Sequence, residues 1–369
     1  MSATLTEHDL GGLPWLVARG DRQQAFRQLG ARFAEQIAAL AGAMSDLPLT
    51  VRRRAAAPRR FDAIAAASRR DHPLAWTELE QLAAGAGVSF ESLLLLNLRG
   101  DAGLDPLGCT DVLWSDGERL LFGHNEDGDP ALAGRCALLT LALDDDPVST
   151  SWWYPGFLPG NTFALNEHGL AWGLDNVNIP APAECGGRGF VARSLQASCR
   201  TLADAAAFLA RTPSAGGFAY SFADTRGGER LLVEAAAGRA REAPAAPLTW
   251  HTNHLLLLDE VADRPSAESR GRAAALAALE LPRRPAREWL LALLAGAPVP
   301  AGVHRDGSGG DSSATLCTFV ADVPAGEALV VPLGAPAFAL GLDDFAHGNA
   351  TGARPLEPSP ATAPTDVNP

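Results

Sequence analysis

Apolar residues recur at three- and four-residue steps through the first part of the chain. Phe26, Leu29, Phe33, Ile37, Leu40 and Met44 lay one stripe along a helix. The same spacing predicts a second helix from about Phe61 to Ala84, with Trp76, Leu79 and Leu82 facing inward. A third, Ser89 to Asn97, opens with a serine cap and carries Glu91 in its first turn. The first hundred residues therefore read as helical. Arginines gather there at 52–54, 59–60 and 69–70, which reads as a solvated helix face.

After Pro106 the texture changes. Cys109–Trp114, Leu120–Gly123 and Ala137–Leu143 are short apolar runs, broken by Asp-Gly turns such as Asp116-Gly117, a hairpin signal. Thr162–Leu165 and Leu170–Leu174 flank an Asn-Glu-His-Gly turn and make another hairpin. Thr201 begins a helix with Asp204 at the capping-box position, and Ala267–Leu279 and Arg287–Leu294 predict two more. Strands return at Arg230–Glu234, Leu248–Thr252, Ala314–Ala321 and Ala328–Pro332. Beyond Ala353 the Pro-, Ala- and Thr-rich tail predicts disorder. With no internal repeat, helices followed by hairpins, twice over, imply a layered α+β fold rather than a doubly wound one.

Composition narrows the chemistry. The 369 residues are 47% hydrophobic and 20% charged, enough to bury a substantial core. A net charge of −13 disfavours general attraction to nucleic acid or anionic membrane. There is no lysine, which excludes a P-loop lysine, a pyridoxal Schiff base and a lysine nucleophile together. No apolar run is long enough for a spanning helix, and the polar, acidic start does not read as a secretory signal. The five cysteines (109, 136, 185, 199 and 317) are odd in number, widely spaced and without a CxxC pair, so a reducing cytosol fits them better than a disulfide framework or zinc ribbon.

One thiol stands at the seam between the two textures. Gly108 before Cys109 relaxes the backbone and removes steric cover from the Gly108 carbonyl. Attack of the thiol on that carbonyl, followed by hydrolysis, would make Cys109 a new N-terminus. A free α-amino group has a pKa of about 7.7–8, so it can serve as base for its own thiol. The alternative is a buried strand cysteine. His251 and His254 with Asp127 and Asp129 raise a metal site, but HxxH on a strand points its rings to opposite faces. Gly307–Asp311 reads as a flexible loop near the site rather than an anion cradle, and no GxSxG elbow is present. The aromatic run Trp152, Trp153, Tyr154 and Phe157 suits either the core or the wall of an acyl pocket.

Gly108-Cys109-Thr110, with Gly123-His124-Asn125-Glu126-Asp127 ending the second strand, resembles the start of the mature chain in acyl-coenzyme A:6-aminopenicillanate acyltransferases. Choloylglycine hydrolases and acid ceramidases share the layout. Gly160-Asn161, Asn166–Leu170 and Asp175-Asn176 look like that superfamily's central hairpin. His251–Leu255 resembles its Asn-His segment, and Thr315-Leu316 to Gly334-Ala335-Pro336 its closing hairpin. The resemblance runs in order along nearly the whole chain except the tail.

This resemblance implies a four-layer αββα sandwich of the N-terminal nucleophile hydrolase type, and cleavage between Gly108 and Cys109. Residues 1–108 would form a helical small chain that stays packed on its partner, 109–352 the hydrolase domain, and 353–369 the tail. The implied chemistry is hydrolysis or acyl transfer of a linear amide or acyl thioester, an acyl-coenzyme A among them, without cofactor or metal. By position, Cys109 is the nucleophile, Asp127 holds its amine, Asn253 supplies an oxyanion-hole amide and Asn176 a backbone N–H. Two preorganised donors at a developing oxyanion contribute on the order of 3 kcal/mol each. His124 stands where bile-salt-type members carry arginine, and joins Trp152, Trp153 and Arg270 as candidate substrate-binding residues. The family's late arginine, just before the closing Thr-Leu, is replaced by Ser312-Ser313-Ala314, with Arg270 or Arg305 as substitutes. The rivals are a non-catalytic binding or scaffold protein on the same fold, with Cys109 merely buried, and a metal-dependent hydrolase.

Overall fold

The structure, a computed structural model, describes residues 2–43, 47–102, 108–244, 246–307 and 311–356. Met44, Ser308–Gly310 of the glycine loop and the tail beyond 356 lie outside them.

Two sheets carry the fold. The first runs β1 (Ala3–Asp9), β2 (Pro14–Gly20), β5 (Ala137–Leu143), β6 (Ser149–Trp153), β7 (Ala164–Asn166), β8 (Leu170–Val177), β9 (Gly217–Asp224), β10 (Arg230–Ala236) and β11 (Arg239–Glu242). The second runs β12 (Leu248–His251), β3 (Thr110–Ser115), β4 (Leu120–Gly128), β13 (Ala314–Asp322), β14 (Glu327–Pro332), β15 (Phe338–Gly341) and β16 (Arg354–Pro355). Pairing is antiparallel except between β2 and β5. The sheets face each other, with Phe163 and Phe319 stacked between them at 4.7 Å.

Helices cover both outer faces. α1 (Arg22–Arg32), α5 (Pro73–Ala86), α8 (Arg188–Ser198) and α9 (Leu202–Arg211) lie on the first sheet, where Val191, Leu195 and Leu209 bury against Trp172, Tyr220 and Phe222. α10 (Ala267–Ala277) and α11 (Arg287–Leu291) lie on the second, where Leu276 and Leu290 meet Val112, Leu121 and Val320. The remaining helices are α2 (Ala34–Ala43), α3 (Leu47–Ala56), α4 (Pro58–Asp71), α6 (Phe90–Asn97), α7 (Arg99–Ala102) and α12 (Leu342–His347). The result is an α+β fold of four layers, αββα, as the sequence implied. Among the described residues no helix is long and apolar enough to cross a membrane.

Several elements follow from local chemistry. The Asp116-Gly117 turn closes β3 onto β4 with Gly117 at φ 94°, and Thr201 and Asp204 form a reciprocal capping box. The helix expected over Phe61–Ala84 is two helices, because Pro73 has no N–H to donate and its ring ends α4 at His72. The apolar stripe breaks likewise at Phe33, yet Phe26, Leu29, Phe33, Ile37 and Leu40 are all buried.

The reading of the first hundred residues as helical needs correcting. Residues 3–20 form a hairpin, β1–β2, whose second strand pairs in parallel with β5. β1 is an edge strand facing mostly solvent, so it carries no apolar alternation. The 1–108 segment thus contributes two strands to a sheet completed by residues 137–242. At the other end, β16 extends the second sheet past residue 352.

Candidate functional site

The site forms where β3 begins and β4 ends. Their register pairs Asp111 with His124 and Thr110 with Asn125. Continued by two residues, it sets Cys109 opposite Glu126 and Gly108 opposite Asp127. Because strand side chains alternate, the neighbouring carboxylates of β4 point to opposite faces of the sheet.

On the helix-covered face, Asp127 is fully buried and accepts a hydrogen bond from Thr315 Oγ1 at 2.7 Å. Arg272 Nη1 and Arg305 Nη1 stand 3.9 and 4.0 Å from its second oxygen. Burial pushes the Asp127 carboxyl up to about 6, and the two guanidiniums oppose that rise. Arg272, on α10, donates through Nη1 to the Cys109 carbonyl at 2.6 Å and to Thr110, and through Nη2 to Asn253 Oδ1 at 2.6 Å. Asn253 Nδ2 donates to the Asn176 carbonyl at 3.0 Å. Arg305 Nη1 donates to the Gly108 carbonyl at 3.3 Å, and its guanidinium is braced by Asp311. A Cβ on Gly108 would stand 2.1 Å from Asn253 Cγ, so glycine alone lets the amide lie against this peptide.

On the face between the sheets lies a second set. The Cys109 sulfur, a ring nitrogen of His124 and a carboxylate oxygen of Glu126 are within 4.8 Å of one another. His124 Nδ1 is 2.8 Å from Asp111 Oδ1 and Nε2 is 3.0 Å from Glu126 Oε2; Tyr154 donates its hydroxyl to Glu126 Oε1 at 2.7 Å. Burial and the Glu126 charge push the Cys109 thiol well up, and His124 opposes them. Burial alone would lower the imidazole, but Asp111, Cys109 and Glu126 together outweigh it and hold His124 well above its ordinary value. Beyond Asp111, Asp175 meets His251 Nδ1 at 3.2 Å, and His251 Nε2 meets Glu234 at 3.1 Å. Glu234 in turn accepts the backbone N–H groups of Leu256, Leu257 and Leu258.

The profile of the acyl-coenzyme A:6-aminopenicillanic acid acyl-transferases matches residues 114–335. The chain belongs to that family. The matched span holds Asp127, Asn176 and Asn253, and starts five residues past Cys109. No curated protein matches the chain in sequence. Among solved structures, a Caenorhabditis elegans N-acylethanolamine-hydrolyzing acid amidase ortholog is similar at TM-score 0.40 and 11% identity, over 58% of this chain and 93% of its own. A mutant conjugated bile acid hydrolase from Clostridium perfringens is similar at TM-score 0.39 and 11% identity, over 70% of this chain and 100% of its own.

In this family member a cavity of about 70 Å³ opens beside the thiol. Gly108, Cys109, Asp127 and Asn176 line it together with Tyr154, Phe157 and Phe218. Leu96, Asn97, Arg99 and Gly100, from the segment before Cys109, close one side. Arg188 stacks 4.5 Å over Phe218 and donates to the Asn176 side chain and the Gly217 carbonyl.

Other expected residues lie elsewhere. Trp152 and Trp153 are 3% and 1% exposed, inside the core rather than on the cavity wall, because β6 is covered on both faces. Tyr154 and Phe157, just past that strand, are the members of the run that reach the cavity. Arg270 is exposed on α10; its neighbour Arg272 turns inward on the stripe of Ser269, Ala273 and Leu276. Of the two proposed substitutes for the late arginine, Arg305 reaches the site. The sequence reading missed Arg272 and Arg188. An arginine at a helix's apolar positions is the signal for Arg272. The four-residue set raised as a metal site does not assemble: His251 faces Asp175 and Glu234, His254 bonds Ser269, and Asp129 caps a short turn. The donor groups that do approach one another among the described residues are Cys109 with His124 and Glu126, and His124 with Asp111 and Asp175. Both His124 nitrogens are already engaged, so an ion there would displace those bonds.

Proposed function

We propose that this chain is a self-activating cysteine amidohydrolase or acyltransferase of linear amides or acyl thioesters, acyl-coenzyme A included, cleaved between Gly108 and Cys109. The reading rests chiefly on one observation. The Gly108–Cys109 peptide lines the cavity, with its carbonyl on Arg305 and the Asn253 amide against its glycine. Once cut, Cys109 carries the nucleophilic sulfur and its own α-amine as base. Asp127 anchors that amine as a charge pair, at the end of β4 opposite Gly108. Asn253 Nδ2 and the Asn176 backbone N–H meet the oxyanion of the tetrahedral intermediate, and Arg272 fixes the amide by holding Oδ1. Water or an amine then releases the acyl group from sulfur. Residues 1–108 remain as the small chain, since they supply two strands and one wall of the cavity. Five unpaired cysteines support a reducing, cytoplasmic setting.

Intact-mass analysis of the purified protein tests this. Two species breaking between Gly108 and Cys109 are expected for the wild type, and one uncut, inactive chain for Cys109→Ala. A cut or active alanine variant ends the proposal. Asp127→Asn should fold yet lose turnover by a factor of about 100 or more, the scale of a lost charge-positioning group.

A further inference from the structure

Self-cleavage poses a problem that the mature site does not. While Gly108 and Cys109 are joined, the nitrogen of Cys109 is an amide, with no lone pair free to take the thiol proton. Asp127 lies on the other face of β4, bonded to Thr315 and facing two arginines. On the sulfur's own face stands an imidazole. Cys109, His124 and Glu126 bring a sulfur, an imidazole and a carboxylate within 4.8 Å of one another, and Asp111 holds the ring at 2.8 Å: a nucleophile, a pair that can take its proton, and the group that orients the pair.

We propose that His124, acting with Glu126, is the base that activates Cys109 before the chain is cut; this rests on the reading of Cys109 as nucleophile. His124 Nε2 and Glu126 Oε2 are joined by one hydrogen bond of 3.0 Å, and one proton along it leaves the pair able to take a second on the carboxylate. The thiol proton passes onto that pair. The sulfur then bonds the Gly108 carbonyl carbon, and Arg305 Nη1 meets the charge developing on its oxygen. Collapse breaks the bond from carbon to the Cys109 nitrogen, the borrowed proton moves to that nitrogen, and it departs as the α-amine. Water hydrolyses the thioester, leaving a Gly108 carboxylate and the free thiol.

The surroundings suit this work. Facing His124 are Asp111 from β3, Glu126 from β4 with Tyr154 behind it, Asp175 from β8 and Cys317 from β13. Asp111 Oδ2 and Asp175 Oδ1 are buried with no hydrogen-bond partner. Two unscreened carboxylates in one core cannot both stay ionised, so Asp175 is held well above the ordinary carboxylate range by burial and by Asp111. His251 and Glu234 continue the chain of acids and imidazoles to the loop at Leu256–Leu258. Gly173 makes room for it: a Cβ there would stand 2.2 Å from Asp111 Oδ1 and 2.6 Å from His124 Nδ1.

The absence of lysine makes the test direct. Trypsin releases Cys109 in the peptide 100–119 from uncut chains and 109–119 from cut ones, since Arg99 and Arg119 are the flanking cleavage points. Wild type, His124→Gln and Glu126→Gln are compared for the rate at which 109–119 appears, and for iodoacetamide labelling of Cys109 in 100–119 across pH 6–10. Loss of a general base costs two to four powers of ten. Cutting in His124→Gln should therefore slow at least tenfold, and labelling at pH 7 should fall at least tenfold and recover towards pH 10. A folded His124→Gln that cuts and labels at wild-type rates overturns the proposal; should it not fold, the same result with Glu126→Gln does so. A wild type that never yields 109–119 refutes the self-cleavage reading instead, and the labelling ratio still decides the role of His124.

Discussion

Truncating Glu78 to alanine should cost the protein about 3 kcal/mol, and the reason lies in four charges buried together. Glu78, on α5, accepts from Arg193 Nε and Nη2 at 2.8 and 2.7 Å and from Arg22 Nη1 at 2.6 Å. Asp146 completes the group, 2.9 Å from Arg193 Nη2 and bidentate to Arg22. Arg193 and Glu78 are each 1% exposed. Removing one partner of such a pair leaves an uncompensated charge in the core, which typically costs about 3–5 kcal/mol. Here Asp146 remains to hold both arginines, which places the loss at the lower end. Removing both members, as Glu78→Leu with Arg193→Met, should cost less than Glu78→Ala alone, because nothing charged is then stranded. Urea denaturation followed by circular dichroism measures each value. A Glu78→Ala loss below about 1 kcal/mol, or a double variant worse than the single, would refute the reasoning. The cluster also bears on function: Arg22 and Glu78 precede Cys109 while Asp146 and Arg193 follow it, so it clamps the two parts across the proposed cut.

Two further outcomes are expected. Gly108→Ala would place a Cβ 2.1 Å from Asn253 Cγ; the amide must move by about 1 Å, and cutting and turnover should fall by about 100-fold, followed by intact mass and by substrate release, with an unchanged rate contradicting the account. His72 is buried against Ser194 with its imidazole pushed down to about 4 by burial. An imidazole depressed in the folded state binds its proton more readily when unfolded, so its contribution to stability is intact above about pH 6.5 and lost as pH falls towards 4. At about 1.4 kcal/mol per tenfold in proton affinity, roughly 3 kcal/mol of stability goes over that window; melting curves of wild type and His72→Gln should diverge there, and parallel curves would contradict it.

Much of this was already legible along the chain. The hairpin β3–β4 followed from an Asp-Gly turn, α9 from its capping box, and the position of Cys109 from the junction of helical and alternating patterns. These are local features, in which the residues that make the signal also make the contact. The strand β1 was hidden because it is an edge, and edges need no apolar alternation. Trp152 and Trp153 were ambiguous because burial and substrate contact select the same side chains. Arg272 and Arg270 differ by two positions on one helix, and only the packing of α10 on the second sheet fixes which guanidinium enters the site.

The sequence by itself determined the kinds of chemistry open to this protein: no lysine for a nucleophile, one glycine-preceded thiol at a seam, and a carboxylate at the end of the next strand. Alternation along β4 also determined that Glu126 and Asp127 must face opposite ways. What each face meets was decided by the tertiary structure. Stacking the two sheets brings Asp111 against Asp175 and lines up His124 and His251, residues up to 140 positions apart. Packing α10 and the Arg305 segment on the outer side surrounds Asp127 with positive charge. Strand periodicity is set residue by residue, whereas the partner of each face depends on which layer covers it, and that is a property of the folded whole.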